Sequence, residues 1–224
     1  MFIVLEGLDG AGKSTQLKCV ADFLTARNQK SQVIHFPRFD APLYGPLIAK
    51  FLRGDLGAAH HVSPHLVALL YAGDRHHAAP QIREWLSNGY VVIADRYVYS
   101  NIAYQCAKVE DVEQQKELRE WILQMEYGHF NLPTPDLNLF LDVPLGFVAQ
   151  KLNMQRNSKE RAYLEGKSDI HESKLPFQES VRQVYLAQAR LDDRFEVIPC
   201  GDDLGTILPS HQISMLITNK LNNI

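Results

Sequence analysis

The 224-residue chain has only three cysteines, Cys19, Cys106 and Cys200. They are odd in number, far apart and without metal-ligand spacing. That excludes a disulfide framework and a cysteine-built metal centre, and leaves free thiols suited to a reducing compartment. No apolar run approaches the length of a bilayer span, so no membrane partner is expected. The chain opens directly on a strand-like run, and no signal peptide is expected. Positive charge is not in excess: 23 Lys and Arg face 26 Asp and Glu, for a net charge of −3. A broad attraction to nucleic acid is thereby excluded, and any phosphate site must be built from local Lys and Arg. No repeat and no linker divides the sequence. Its length fits a single domain over residues 1–224, and a cytoplasmic location is expected.

What is present begins at once. Phe2-Ile3-Val4-Leu5 is long enough for a buried strand. Gly7-Leu8-Asp9-Gly10-Ala11-Gly12-Lys13-Ser14-Thr15 follows, the G-x-x-x-x-G-K-[ST] pattern of a phosphate-binding loop. Leu17, Val20, Ala21 and Leu24 then recur at helical spacing. Strand, glycine loop and helix are the context that the motif requires. Glycines let the backbone curl round phosphate oxygens, and the helix N-terminus adds partial positive charge. Gly7, Gly10, Ala11, Gly12, Lys13, Ser14 and Thr15 are the expected nucleotide cradle, with Lys13 on the β and γ phosphates and Ser14 on Mg²⁺.

Further strands are expected at Ser31–Phe36, Tyr90–Ala94, Leu137–Leu141 and Phe195–Ile198. Helical stretches lie between them. One starts at Ser63-Pro64 with Ser63 as its cap, is bent or interrupted at Pro80, and closes at Asn88-Gly89. Others cover Val98–Ala107, Glu110–Gly128, Phe147–Met154 and Leu204 to the end. The alternation implies an α/β, doubly wound sheet of five parallel strands with helices on both faces. Ligands then bind at the carboxyl ends of the strands. The segment from about 153 to 174 is rich in charge and poor in large apolar residues. Within a phosphate-loop protein it reads as a short lid, bringing Arg156 and Arg161 onto phosphates.

Asp95-Arg96-Tyr97 ends the third strand. There Asp95 can organise Mg²⁺ and Arg96 can clamp a transferring phosphoryl group. Phe36-Pro37-Arg38 ends the second strand in the same way, which makes Arg38 a second clamp and places Phe36 beside it. Tyr71 and Arg75 share one helical face, suited to stacking on a flat base and bonding its edge. Asn101, Tyr104 and Gln105 share another, suited to a nucleobase and sugar.

Glu6 with Gly7 to Gln16, Phe36-Pro37-Arg38, Tyr71-Ala72-Gly73-Asp74-Arg75, Asp95-Arg96-Tyr97 with Ser100-Asn101, Pro135-Asp136 through Leu141-Asp142, and Glu160-Arg161 in the lid stand in one order and spacing. In that set the chain resembles the thymidylate kinases. The resemblance implies an ATP-dependent, Mg²⁺-requiring transfer of the γ-phosphoryl group to dTMP, giving dTDP, by a homodimer. It implies that Asp9 contacts the sugar 3′-hydroxyl or the metal shell, and that Arg38 and Arg96 hold the acceptor phosphate. By the same resemblance Tyr71 would stack on thymine where many members carry Phe, Arg75 would bond O4, Asn101 would bond the base edge, and Tyr104 would crowd the 2′ position. Position 10 is Gly, so the loop has no arginine, and the resemblance implies that Arg156 or Arg161 supplies it, as in the bacterial-type members.

Two other classes share parts of this pattern. One is a kinase for a different nucleoside or nucleotide, which a panel of acceptors separates. The other is a nucleotide-dependent switch, which uses Asn-Lys-x-Asp for guanine. The only Asn-Lys here, Asn219-Lys220, is followed by Leu221-Asn222.

Overall fold

A computed structural model of the chain describes residues 1–58, 61–154, 163–165, 169–170 and 175–222. Its centre is a sheet of β1 (Phe2–Gly7), β2 (Ser31–His35), β3 (Val91–Asp95), β4 (Leu137–Asp142) and β5 (Phe195–Pro199), in the order β2-β3-β1-β4-β5. All four pairings are parallel. β1 is buried along its whole length and β3 likewise, as expected of apolar runs covered on both faces. Register places Leu5 opposite Asp95, Gly7 opposite Leu141, and His35 opposite Asp95. The sheet therefore brings the phosphate loop and the Asp-Arg-Tyr turn to one end.

The helices around it are α1 (Lys13–Ala26), α2 (Tyr44–Leu52), α3 (Pro64–Ser87), α4 (Val98–Cys106), α5 (Val112–Leu123), α6 (Leu145–Met154), α7 (Leu175–Gln188) and α8 (Ser210–Leu221). A wide-pitched π turn, Gln124–His129, continues α5. The end of α3 is as expected: Gly89 has φ +76°, its N–H bonds the Leu86 carbonyl, and Tyr90 N–H bonds that of Trp85. The start differs, since Ser63 sits at the cap position but its side chain makes no capping bond. Of the two effects expected at Pro80, interruption does not occur. The helix runs through it from Pro64 to Ser87 without interruption, because Ala78, Ala79 and Ile82 on either side are locked into the core. The last helix starts at Ser210 rather than Leu204, since Gly201 first bridges back to Ile207. α2 and α7 were not expected at all.

α2 packs on α3 over a second, smaller core of Ile48, Phe51, Leu52 and Val67. The contact depends on Gly73, where an added Cβ would lie 2.3 Å from the Tyr44 ring. Cys19, Cys106 and Cys200 are free thiols. Among the described residues, no helix is long and apolar enough to cross a membrane.

Candidate active site

A cleft of about 670 Å³ opens at the carboxyl end of the sheet. One wall is the loop from Asp9 to Thr15. There Gly10 and Gly12 have φ of +76° and +80°, which residues with a Cβ rarely adopt. Gly7 lies beneath, buried, where a Cβ would meet Ala11 Cβ at 3.3 Å. Lys13 is nearly buried. Its Nζ donates to the Leu8 carbonyl at 3.2 Å and lies 4.0 Å from Asp95 Oδ1. Burial first, and then Arg96, lower its pKa. Ser14 is exposed at the start of α1.

The facing wall is the turn after β3. Asp95 Oδ2 meets His35 Nδ1 at 2.9 Å, while the buried Oδ1 accepts no hydrogen bond among the described residues. Burial acts to raise the Asp95 pKa, but Lys13 and His35 outweigh it and hold the carboxyl below its usual range. A carboxylate oxygen left without a donor beside a phosphate loop suits a cation, so Asp95 fits the expected Mg²⁺ role, and Ser14 lines the same cleft.

Arg96 has φ +66°, a left-handed backbone uncommon for a residue with a side chain. Its N–H bonds the Leu5 carbonyl, and the next N–H, of Tyr97, bonds Glu6 Oε1 at 2.9 Å. Glu6 is fully buried and also accepts from Ser100 N, Ser100 Oγ and Tyr185 Oη. Burial raises its pKa against the pull of these donors. One carboxylate thus pins β1, the start of α4 and α7 together. The guanidinium of Arg96 is directed into the cleft, where Nη2 bonds Asp9 Oδ1 at 2.6 Å. Asp9 Oδ2 accepts from Tyr104 Oη at 2.8 Å and from Gln178 Nε2 at 3.2 Å. Asp9, Arg96 and Tyr104 are therefore one cluster between the loop and α4.

Deeper in the cleft lie Phe36, Tyr71, Arg75, Asn101 and Gln105. Burial raises the Tyr71 pKa first, with Asp169 adding to it. Arg75 forms a bidentate pair with Glu126, and Asn101 Nδ2 donates to Glu126 Oε1 at 2.8 Å. Arg38 does not line the cleft. It is wrapped on Asp74, with Nε on Oδ1 and the backbone N–H on Oδ2, each at 2.9 Å. Arg156 and Arg161 lie outside the described residues, as does most of the expected lid.

Sequence reasoning missed Glu126, which sits 51 positions from Arg75 in an irregular turn with no pattern of its own. It also missed Asp74, although that residue stands inside a quoted motif, and His35, one residue before another. Lys151 on α6 stands over the loop, its Cβ 2.9 Å from where a Cβ on Gly10 would be.

The thymidylate kinase family model matches residues 5–206 of the chain. A probable thymidylate kinase of Thermococcus kodakarensis is 34% identical over 227 residues, covering 99% of this chain and 98% of that protein. The thymidylate kinase of Clavibacter sepedonicus is 34% identical over 204 residues, covering 90% and 87%. Among solved structures, a thymidylate kinase of Candida albicans matches with a TM-score of 0.73 at 28% identity, covering 99% of this chain and 91% of that one.

Proposed function

Because the chain belongs to the thymidylate kinase family, we propose that the cleft between the phosphate loop and α4 seats ATP and dTMP end to end, with the residues above dividing the work. The enzyme is a nucleoside monophosphate kinase that phosphorylates dTMP to dTDP with ATP as donor. The observation that carries the site reading is the Asp9–Arg96–Tyr104 cluster, which joins the donor loop to the acceptor helix through bonds of 2.6 and 2.8 Å.

An oxygen of the dTMP phosphate attacks the γ-phosphorus, and the bond from that phosphorus to the β–γ bridging oxygen breaks, releasing ADP. Such a transfer needs positioning and charge neutralisation more than covalent help. Lys13 exchanges the Leu8 carbonyl for the β and γ oxygens. Backbone N–H groups from Gly10 to Thr15 surround the β phosphate. Arg96, fixed by its left-handed turn, meets the acceptor phosphate. Arg38, the other expected phosphate clamp, is held on Asp74 outside the cleft, so Arg96 carries the acceptor-phosphate contact in this arrangement. Ser14 and Asp95 would hold Mg²⁺, which would supply further charge neutralisation. Arg156 or Arg161 completes the charge from the lid over residues 153–174. Tyr71, Arg75, Asn101 and Gln105 face the base, and Tyr104 crowds the 2′ position.

The whole chain acts as one domain, in the cytoplasm, as a homodimer. The exposed pair Leu66 and Leu69, 64% and 45% accessible on α3, supports such pairing. The test of function is a panel of dTMP, dUMP, dCMP, dAMP and dGMP with ATP and Mg²⁺. dTMP is expected to give the highest kcat/KM, and a higher value for another acceptor overturns the reading.

A further inference from the structure

Gln105 is 1% exposed and lines the deep, acceptor-side part of the cleft. Its Oε1 accepts a hydrogen bond from Lys108 Nζ at 2.8 Å. While it is protonated Lys108 can only donate, and the amide atom that faces it is then the oxygen. The Nε2 group is left with no acceptor among the described residues. The amide orientation is therefore fixed by a neighbour rather than by the ligand.

Lys108 is itself oddly placed. It follows α4 at its C-terminal end, where positive charge is favoured. Its ammonium also lies 4.9 Å from the centre of the Phe51 ring, in the small core under α2. Burial alone draws its pKa down to about 7, and no carboxylate offsets that burial. The Gln105 amide oxygen and the Phe51 ring face this amine, so its one side-chain hydrogen bond is spent on a residue that lines the cleft.

The neighbouring amide completes the picture. Asn101, one turn earlier, spends its Nδ2 on Ala68 O and Glu126 Oε1. Its buried Oδ1 has no donor among the described residues. The two amides thus offer the cleft an acceptor and a donor side by side, the complement of a base that carries a ring N–H next to a carbonyl.

We propose that Lys108 is a positioning residue for acceptor binding, locking Gln105 so that its NH₂ group donates to a carbonyl oxygen of the base. The proposal rests on the dTMP kinase reading above. Lys108→Met keeps the apolar stem against Phe51 and frees the Gln105 amide to turn. Loss of one oriented hydrogen bond should weaken dTMP binding by roughly three- to tenfold, read by titration calorimetry. Saturated kcat and the KM for ATP should stay within about twofold, since the contact forms equally in ground and transition states. Lys108→Arg, still a pure donor, should restore dTMP affinity. In a Gln105→Leu background, Lys108→Met should have no further effect. The proposal is overturned if Lys108→Met leaves dTMP affinity unchanged, if it lowers kcat and both affinities together, or if its effect persists without Gln105. Failure of the wild-type enzyme to use dTMP would instead remove the functional reading itself.

Discussion

Arg75 and Glu126 hold each other through two hydrogen bonds, of 2.5 and 2.7 Å, with side chains 2% and 0% exposed. Burial opposes the charge on Arg75, but Glu126 outweighs it and raises the Arg75 pKa. Two of the three guanidinium nitrogens are committed, which leaves Nη1 for a base. Removing Glu126 strands a buried cation. Glu126→Leu is expected to lose about 3–5 kcal/mol of stability, measured by urea unfolding. Arg75→Ala, tested where it still folds, should raise KM for dTMP far more than KM for ATP. Equal effects on both would argue against a base-reading role.

Lys13→Ala should keep the fold and lose turnover by a factor on the order of 10²–10³. Its Nζ is already poised between Leu8 O and Asp95. Circular dichroism and steady-state kinetics on the same sample check both halves, and wild-type turnover in the folded variant would remove the phosphate-loop assignment.

At Tyr104 the ring and the hydroxyl can be separated. Tyr104→Ala should relax discrimination against TMP carrying a 2′-hydroxyl, because removing a steric barrier helps the wrong substrate most. Tyr104→Phe should retain discrimination but lose the bond to the Asp9 carboxylate, a loss of about 1.5–3 kcal/mol. The readout is the ratio of kcat/KM for the two acceptors; if Tyr104→Ala leaves it unchanged, the steric account fails.

The loop lacks an arginine, since position 10 is Gly. Arg156 and Arg161 are the expected replacements, with Arg161 favoured because it follows Glu160. An arginine that reaches the transition state is worth about 10³–10⁵ in turnover in related phosphoryl transfers. Single-turnover transfer by Arg156→Ala, Arg161→Ala and the double variant should show that loss in kcat more than in KM. Near-normal chemistry in the double variant would place the missing charge elsewhere, with Lys151 over the loop the next residue to test.

Burial pushes the thiols of Cys106 and Cys200 up to about 12. A thiol alkylating agent at pH 8 should therefore modify only Cys19 in the native enzyme, and all three cysteines after unfolding. Labelling of Cys106 or Cys200 in the native protein, read by peptide mass spectrometry, would contradict their burial.

The parts of this molecule legible in the sequence are those whose signal is local. The phosphate loop is contiguous, and its flanking strand and helix announce themselves by apolar spacing. The sheet followed from alternation, because buried parallel strands read as unbroken apolar runs. α2 escaped because Gly45 and Pro46 at its start resemble a turn, and its apolar face is buried in a small core of its own with α3. α7 escaped because Gln178, Arg182 and Gln183 blend with the charged stretch before it, while its anchors act at distance, Arg182 on Asp142 and Tyr185 on Glu6. The roles of Arg75 and Asn101 were read from helical faces, but the carboxylate that orients both comes from another element.

The left-handed turn at Arg96 also limits how this enzyme can be made more robust. A residue with a side chain in that conformation costs on the order of 1–3 kcal/mol. Glycine there would relieve the backbone and discard the guanidinium in the same step. Any stability gained by relaxing position 96 is set against the loss of the bond to Asp9 and of the charge that the reaction needs. A trade-off between durability and turnover, usually spread over many positions, is concentrated here in one residue.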